Sequence, residues 1–186
     1  SKRDNVAICG YHGWHDWYLS ANIASSKNLN QHLLTGLSTS GVPKKLKNTA
    51  YPFEYNNIKK FFEICKKNNI GVVKMEVYRN FPPKNNFLKK IRKFCNKNNI
   101  ILIFDECTSG FRETFGGLHL KYGVTPDICI LGKALGNGYP ITAVLGKREI
   151  MQNAQSTFIS STFWTDRTGY VAAIKTIDEM YKTKSW

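Results

Sequence analysis

The chain has 186 residues, of which 42% are hydrophobic, and a formal net charge of +14. That length and apolar content are enough for one sizeable core, so a single domain is the simplest expectation. The sequence contains no apolar run long enough to span a bilayer, and its basic N-terminal stretch is too weakly apolar for a signal peptide. These features predict no membrane partner and a cytoplasmic location.

The surplus of lysine invites comparison with nucleic-acid-binding proteins. However, the lysines are spread over predicted helix faces and loops, often beside asparagine, and no basic stripe alternates with aromatic residues. We therefore expect a solvated basic surface with some nonspecific affinity for polyanions and no specific nucleic-acid partner. The five cysteines are odd in number and form no CxxC motif, so we predict neither a disulfide framework nor a zinc site.

Strands and helices alternate along the chain. Predicted in chain order are a strand at 6–10, an irregular surface excursion over 19–52, a helix over 56–68, a strand at 71–77, a helix over about 84–98, strands at 100–106, 127–132 and 141–146, and a last helix over about 168–182. The helices carry apolar residues at helical spacing, and the strand IILIFDE is nearly unbroken in apolar character, as in parallel sheets buried on both faces. This order predicts an α/β fold with a mostly parallel sheet and helices on both faces.

Two of the predicted strands are followed at once by charged residues. Asp105 ends the strand IILIFDE, and Lys133 follows the strand DICIL and Gly132. In open α/β sheets, residues at the carboxyl ends of strands face the crevice where ligands bind. An amine beside a carboxylate there suits pyridoxal 5'-phosphate, which needs a Schiff-base lysine and an anion for its pyridinium nitrogen. The alternatives are a helix N-cap or an ion pair with Arg112 for Asp105, and an exposed surface position for Lys133.

An aromatic segment, YHGWHDW, follows the first predicted strand. Tyr11 or His12 in this segment suits stacking on a flat heteroaromatic ring, and aromatic core packing is the alternative. His12 and His15 also suggest a metal, but the sequence places no third ligand beside them, so we predict no metal site.

Two further residues are candidates on weaker grounds. Thr162 precedes the last predicted helix, where hydroxyl and backbone N–H groups suit a phosphate, although an ordinary N-cap explains it equally well. Glu76 ends the strand GVVKME and is expected to face the crevice, with an ion pair to Lys74 or Arg79 as the alternative.

Several motifs follow one another along almost the whole chain. They are YHG at 11–13, a glutamate at 76, DECTSGFR at 105–112, PDICILGKALGNGYPITAVLGKREIM at 126–151 and SSTFWTDRTG at 160–169. The two blocks around Asp105 and Lys133 are the most specific of them. By these motifs the chain resembles the class III pyridoxal-phosphate-dependent aminotransferases, and within them the glutamate-1-semialdehyde 2,1-aminomutase-like branch.

The resemblance implies roles for individual residues. Lys133 would form the Schiff base and shuttle protons, and Asp105 would pair with the pyridine nitrogen. Tyr11 would stack on one face of the ring, and Cys107, where the family commonly has valine, would pack on the other. Thr162 would reach the cofactor phosphate of a neighbouring subunit, which implies a homodimer.

Two departures from the family pattern bear on the substrate. Glu76 matches a family glutamate that precedes proline, but Val77 follows it here. The segment 164–167 replaces a small Gly-Asn-Pro segment that lies near the substrate in the family. The resemblance therefore leaves the identity of the amino or keto substrate open.

The resemblance also implies a fold type I large domain, of which residues 1–186 would be a part. The family's N-terminal phosphate-cup segment and C-terminal small domain are expected outside this chain. The predicted function is transfer of an amino group, by transamination or by a glutamate-1-semialdehyde 2,1-aminomutase-like rearrangement. The alternative is a catalytically incompetent, truncated protein that serves only as a binding or scaffold module. A basic nucleic-acid-binding module, which would show steeply salt-dependent DNA binding, is a third hypothesis.

Overall fold

The computed structural model describes residues 2–32 and 34–186, so Ser1 and Leu33 lie outside it. The strands are β1 (Asn5–Cys9), β2 (Ala50–Pro52), β3 (Ile70–Glu76), β4 (Ile101–Glu106), β5 (Ile128–Leu131) and β6 (Ala143–Gly146). The helices are α1 (Asp16–Leu19), α2 (Ala21–Ala24), α3 (Ile58–Lys67), α4 (Phe87–Lys97), α5 (His119–Tyr122), α6 (Arg148–Met151) and α7 (Arg167–Thr183). Short 3-10 helices occupy Lys44–Leu46, Lys133–Leu135 and Gln152–Ser156.

The six strands form one sheet in the order β2-β1-β3-β4-β5-β6. β1 pairs in parallel with both β2 and β3, whereas β6 pairs antiparallel with β5. The predicted α/β fold with a mostly parallel sheet is therefore confirmed, with an antiparallel strand at one edge. The order matters for function because β4 and β5, whose ends carry Asp105 and Lys133, are neighbours in the sheet.

The chain divides into two compact units, residues 1–103 and residues 104–186, with the boundary inside β4. The assignment of residues 1–186 to one partial large domain stays a prediction.

The first unit contains two amphipathic helices. α3 buries Phe61, Ile64 and Cys65, and α4 buries an apolar stripe made of Phe87, Leu88, Ile91 and Cys95. The rings of Phe61 and Phe94 lie 5.4 Å apart in an edge-to-face arrangement. These contacts explain why the helical spacing of apolar residues in the sequence predicted both helices correctly.

Asparagine ends both of these helices and turns the chain into the next strand. Asn69, after α3, has φ 44°, and Asn99, after α4, has φ 50°. This left-handed region is closed to most residues but tolerated by asparagine, whose short side chain can hydrogen-bond locally. The Lys- and Asn-rich segments 66–69 and 96–99 are therefore helix ends.

The segment 19–52 is irregular over most of its length, as the sequence predicts, but it is not only a surface excursion. It contains α2 and β2, and its Leu29 is fully buried against Ile8 and Tyr18. The buried Asn22 ties the segment together, because its side-chain oxygen accepts from Leu29 N (3.0 Å) and its amide donates to Leu37 O (3.1 Å). The sequence did not predict this burial, because the segment packs through isolated apolar residues that show no periodicity.

The second unit has a smaller apolar core. Cys129, Leu131, Leu135 and Ala173 form it, so that α7 packs on the region after β5. Several large apolar side chains of this unit are exposed, among them Phe158, Trp164, Val171, Ile174 and Tyr181.

Candidate functional site

A tight turn at the end of β4 places the first candidate residue. Asp105 is half-buried, and its Oδ1 accepts a hydrogen bond from Cys107 N at 3.3 Å. The next turn closes through Gly110 N, which donates to Glu106 O at 2.8 Å. The sequence DECTSG therefore folds back on itself directly after the strand and keeps Asp105 at the strand end.

Glu106, beside Asp105, is fully buried and serves the fold. Its carboxylate accepts hydrogen bonds from Ser109 Oγ (3.2 Å), from the backbone N–H groups of Leu118 and His119, and from His119 Nδ1 (2.5 Å). These bonds compensate the burial of a carboxylate, which is costly without partners. They fasten the loop after β4 to the start of α5.

Lys133 follows β5 and Gly132 and is the first residue of a 3-10 helix. Its backbone has a conformation that few residues adopt. Its φ of 42° lies in the left-handed region, which disfavours residues other than glycine. Its Nζ donates a hydrogen bond of 2.7 Å to Thr108 Oγ1. A strained conformation of this kind is more frequent at functional sites than elsewhere, and here it directs the lysine side chain toward the turn that follows β4.

Gly132 lets the ends of β4 and β5 come close. A Cβ added at Gly132 would lie 2.8 Å from Cys107 Sγ and 3.3 Å from Thr142 Cγ2. The glycine before Lys133 is therefore needed for space, and Cys107 packs against the backbone that carries the lysine. The structure thus brings Cys107 close to the backbone that carries Lys133, and Asp105 is hydrogen-bonded to Cys107 N in the same turn. Asp105 does not belong to the lining of the cavity beside Lys133.

A cavity of about 800 Å³ opens beside Lys133. Its lining comprises Cys107, Arg112, Lys133, Ala134, Asn137, Gly138, Tyr139, Pro140, Ile141 and Thr142. This volume is within the range of sites for cofactors and drug-sized ligands. The lining contains two cations and no acidic residue, so the cavity suits an anionic ligand with a group that reacts with an amine. Pyridoxal 5'-phosphate, with an aldehyde and a phosphate, fits this chemistry.

Thr162 lies apart from that lining. It is exposed and belongs to the turn that precedes α7. Asp166 caps the helix instead, since its Oδ1 accepts from Thr168 N at 2.7 Å, and this bond lowers the pKa of the Asp166 carboxyl. The ordinary N-cap alternative for Thr162 is therefore wrong, and a role toward a phosphate stays a prediction.

Glu76 and Tyr11 meet in the first unit. Glu76 Oε2 accepts from Tyr11 N at 3.1 Å and forms an ion pair with Arg79 Nη1 at 3.3 Å. The Arg79 guanidinium lies 5.8 Å from the centre of the Tyr11 ring. Gly10 is required here, because its φ is 109° and a Cβ would overlap Glu76 Oε2. The ion pair with Arg79, given above as the alternative for Glu76, is thus present.

His12 lies in an aromatic cluster. It is 4% exposed, its ring stacks at 6.5 Å on Trp17, and it meets Tyr18 edge-on at 6.0 Å. This environment supports the core-packing alternative for His12. Stacking of Tyr11 or His12 on a cofactor stays a prediction.

His32 is a buried polar residue that the sequence does not reveal. Its Nδ1 accepts a hydrogen bond from Gly10 N at 3.0 Å, and burial lowers its pKa to about 4. It lines a second cavity of about 180 Å³ together with Glu76 and Arg79. A single histidine in a polar stretch has no periodic signal, so only the tertiary contact with the β1 end identifies it.

Glu106, His119 and Cys129 place three possible metal-ligand atoms within 4.8 Å of one another. However, the Glu106 oxygens and His119 Nδ1 are already joined by hydrogen bonds. Burial also raises the pKa of the Cys129 thiol to about 12, whereas a metal binds the thiolate. This cluster is therefore better described as hydrogen-bonded core, and the absence of a metal stays a prediction.

Comparisons with known proteins identify the family of the chain. The family Aminotransferase class-III matches residues 80–186, more than half of the chain. A 3-aminobutyryl-CoA aminotransferase of Cloacimonas acidaminovorans is 38% identical over 185 residues, which are 95% of this chain and 41% of that protein. A glutamate-1-semialdehyde 2,1-aminomutase of Sulfolobus acidocaldarius is 34% identical over 177 residues, 90% of this chain and 40% of that protein. The chain thus spans about two fifths of the length of these curated relatives.

A solved structure has the same fold. The omega-transaminase of Sphaerobacter thermophilus aligns with a TM-score of 0.79 and 24% identity, over 96% of this chain and 44% of that one. None of the helices within residues 2–32 and 34–186 combines the length and apolar character that crossing a membrane requires; the cytoplasmic location stays a prediction. The family match and the shared fold confirm the predicted fold type I architecture. A transaminase solved with pyridoxal 5'-phosphate bound has the same fold, with a TM-score of 0.79 and 21% identity over 96% of this chain and 44% of that one. The chain belongs to the class-III aminotransferases.

Proposed function

We propose that this chain carries the cofactor-attachment site of an enzyme that transfers an amino group with pyridoxal 5'-phosphate. One observation carries the proposal: Lys133 Nζ lies 2.7 Å from Thr108 Oγ1, in the turn that Asp105 opens. The amine and the carboxylate thus belong to the adjacent ends of β4 and β5. This is the pair of groups that the cofactor needs.

Each residue of the pair has its own task. Lys133 would attach the cofactor aldehyde at Nζ and, once a substrate amine releases it, hold and move a proton at the same atom. Asp105 would keep a proton on the ring nitrogen of the cofactor through its carboxylate. When bound, the cofactor supplies a ring that withdraws electrons from the substrate carbon.

Further contacts to the cofactor are part of the proposal. Cys107, which packs against Gly132 beside Lys133, would cover one face of the ring, and Tyr11 or His12 the other. Thr162 would contact the phosphate bound by a second copy of the chain. The exposed apolar side chains of the second unit support such a homodimer, because large exposed apolar patches mark interaction surfaces.

The substrate of the proposed reaction is a small amino or keto compound. The named relatives include both an aminotransferase and an aminomutase, so transamination and an aminomutase-like rearrangement are both candidate reactions. They differ in one requirement, since a transaminase needs a separate amino acceptor and a mutase does not. Turnover of a purified holoenzyme with and without an added keto acid separates them.

Borohydride trapping tests the proposed attachment site. The chain is mixed with pyridoxal 5'-phosphate, treated with borohydride, digested and analysed by mass spectrometry. We expect the label on Lys133 and its loss in Lys133→Ala, whereas Lys175→Ala, which removes an exposed lysine of α7 paired with Glu179, keeps it. A label that persists in Lys133→Ala at the same stoichiometry would contradict the proposal.

Asp105→Asn tests the second half of the pair. We expect this variant to retain the label on Lys133 but to exchange the α-proton of an amino substrate at least about a hundredfold more slowly, as expected when a proton-transfer step loses its electrostatic support. The measurement is deuterium uptake by a bound amino acid, followed by NMR. Wild-type exchange in Asp105→Asn would contradict the role of this carboxylate.

A further inference from the structure

Thr108 makes two hydrogen bonds in the turn after β4. Its hydroxyl accepts from Lys133 Nζ at 2.7 Å, and its carbonyl accepts from Arg112 Nε at 2.6 Å. Within residues 2–32 and 34–186, the bond to Thr108 is the one hydrogen bond of Lys133 Nζ. A side chain with four rotatable bonds is thereby tied at its far end.

The turn that carries Thr108 is held independently of Lys133. Asp105 Oδ1 accepts from Cys107 N, Gly110 N donates to Glu106 O, and Ser109 Oγ donates to the buried carboxylate of Glu106. The Arg112 side chain also bonds to this turn, through Nε to Thr108 O. These bonds fix the Thr108 backbone, so the position of its hydroxyl is set before Lys133 meets it.

We propose that Thr108 is a positioning residue for Lys133: its hydroxyl holds the Nζ atom at the end of β4. The inference rests on the proposed function, since it concerns the same amine. A free lysine side chain samples many rotamers and loses entropy when it is fixed. Because the hydroxyl fixes it in advance, the amine reaches an incoming aldehyde from one side, toward the strand end that carries Asp105.

The perturbation that isolates this bond is Thr108→Val. Valine has the shape of threonine and keeps the carbonyl that accepts from Arg112, so only the hydroxyl is removed. Thr108→Ser restores the hydroxyl without the methyl group. Thr183→Val serves as the matched control, because Thr183 is also exposed and its hydroxyl also makes a hydrogen bond, to Glu179 O at 2.8 Å in α7.

The experiment measures how fast Lys133 becomes labelled. Each protein is mixed with limiting pyridoxal 5'-phosphate, samples are fixed with borohydride over time, and the Lys133 peptide is quantified by mass spectrometry. One hydrogen bond of this kind corresponds to a rate decrease of roughly three- to tenfold in Thr108→Val. Thr108→Ser should recover to within about twofold of wild type, Thr183→Val should match wild type, and the melting temperatures of all four proteins should agree within a few degrees.

The outcomes separate the inference from the proposed function. Labelling of Thr108→Val at or above the wild-type rate overturns the positioning role, and so does a failure of serine to restore the rate. In both cases the label on Lys133 in the wild type still supports the proposed function. If the wild type carries no label on Lys133, the proposed function fails and the inference fails with it.

Discussion

Replacing Gly132 with alanine tests how closely the ends of β4 and β5 approach. The backbone of Gly132 is extended, with φ −170°, so alanine adopts it without strain. The added Cβ would meet Cys107 Sγ at 2.8 Å and Thr142 Cγ2 at 3.3 Å, both shorter than ordinary van der Waals contact. Overpacking of this kind costs about 1–3 kcal/mol, and we expect Gly132→Ala to be destabilised by that amount.

Cys107→Ala provides the second side of a double-mutant cycle. Without the sulfur, the nearest remaining atom of residue 107 is its Cβ, 3.9 Å from the added methyl group. The clash with this residue disappears, so Gly132→Ala should cost at least about 1 kcal/mol less in the Cys107→Ala background than in wild type. Urea unfolding of the four proteins measures both differences. Additive effects within about 0.5 kcal/mol would refute the close approach that we infer between these strand ends.

Three further predictions concern buried and strained groups. The pKa of His32 falls from 6.5 to about 4 on folding because of burial. Between pH 4 and pH 6.5 the unfolded state therefore binds more protons than the folded state. Stability should therefore fall by up to about 3 kcal/mol as the pH drops from 6.5 to 4, and urea titrations should show a smaller fall in His32→Gln. Lys133→Gly should be about 1 kcal/mol more stable than Lys133→Ala in thermal unfolding, because φ at this position is 42°; equal stability would argue against the left-handed backbone. Glu106→Gln should lower the free energy of unfolding by about 3 kcal/mol, since an amide cannot accept all the hydrogen bonds that the carboxylate accepts. Urea unfolding measures this loss, and a loss below about 1 kcal/mol would contradict the role of Glu106 in holding the loop after β4 to α5.

Local patterns in the sequence were sufficient for the main elements of the fold. α3 and α4 follow from apolar residues at helical spacing, and β4 follows from an unbroken apolar run. The edge strand β2 could not be predicted, because it has three residues, includes Pro52 and is a strand only through its parallel pairing with β1. The buried position of Leu29 could not be predicted either, because a single apolar residue between polar neighbours shows no periodicity.

Part of the candidate site could likewise be predicted from the sequence, and part could not. Asp105 and Lys133 could be selected from the sequence because each stands next to a recognisable strand end, and the roles assigned to them stay predictions. The sequence could not show that Thr108 bonds Lys133, that Cys107 packs against Gly132 or that Glu106 is satisfied by α5.

The sequence alone thus determined the class of fold, the order of its main strands and the two residues on which the proposed chemistry depends. These properties follow from residue types and from periods within about ten residues of chain. Only the tertiary structure decided which hydroxyl holds the lysine amine, which glycine makes room for it and which histidine is buried without charge. Each of those contacts joins residues that are more than a dozen positions apart, where only packing brings their atoms together.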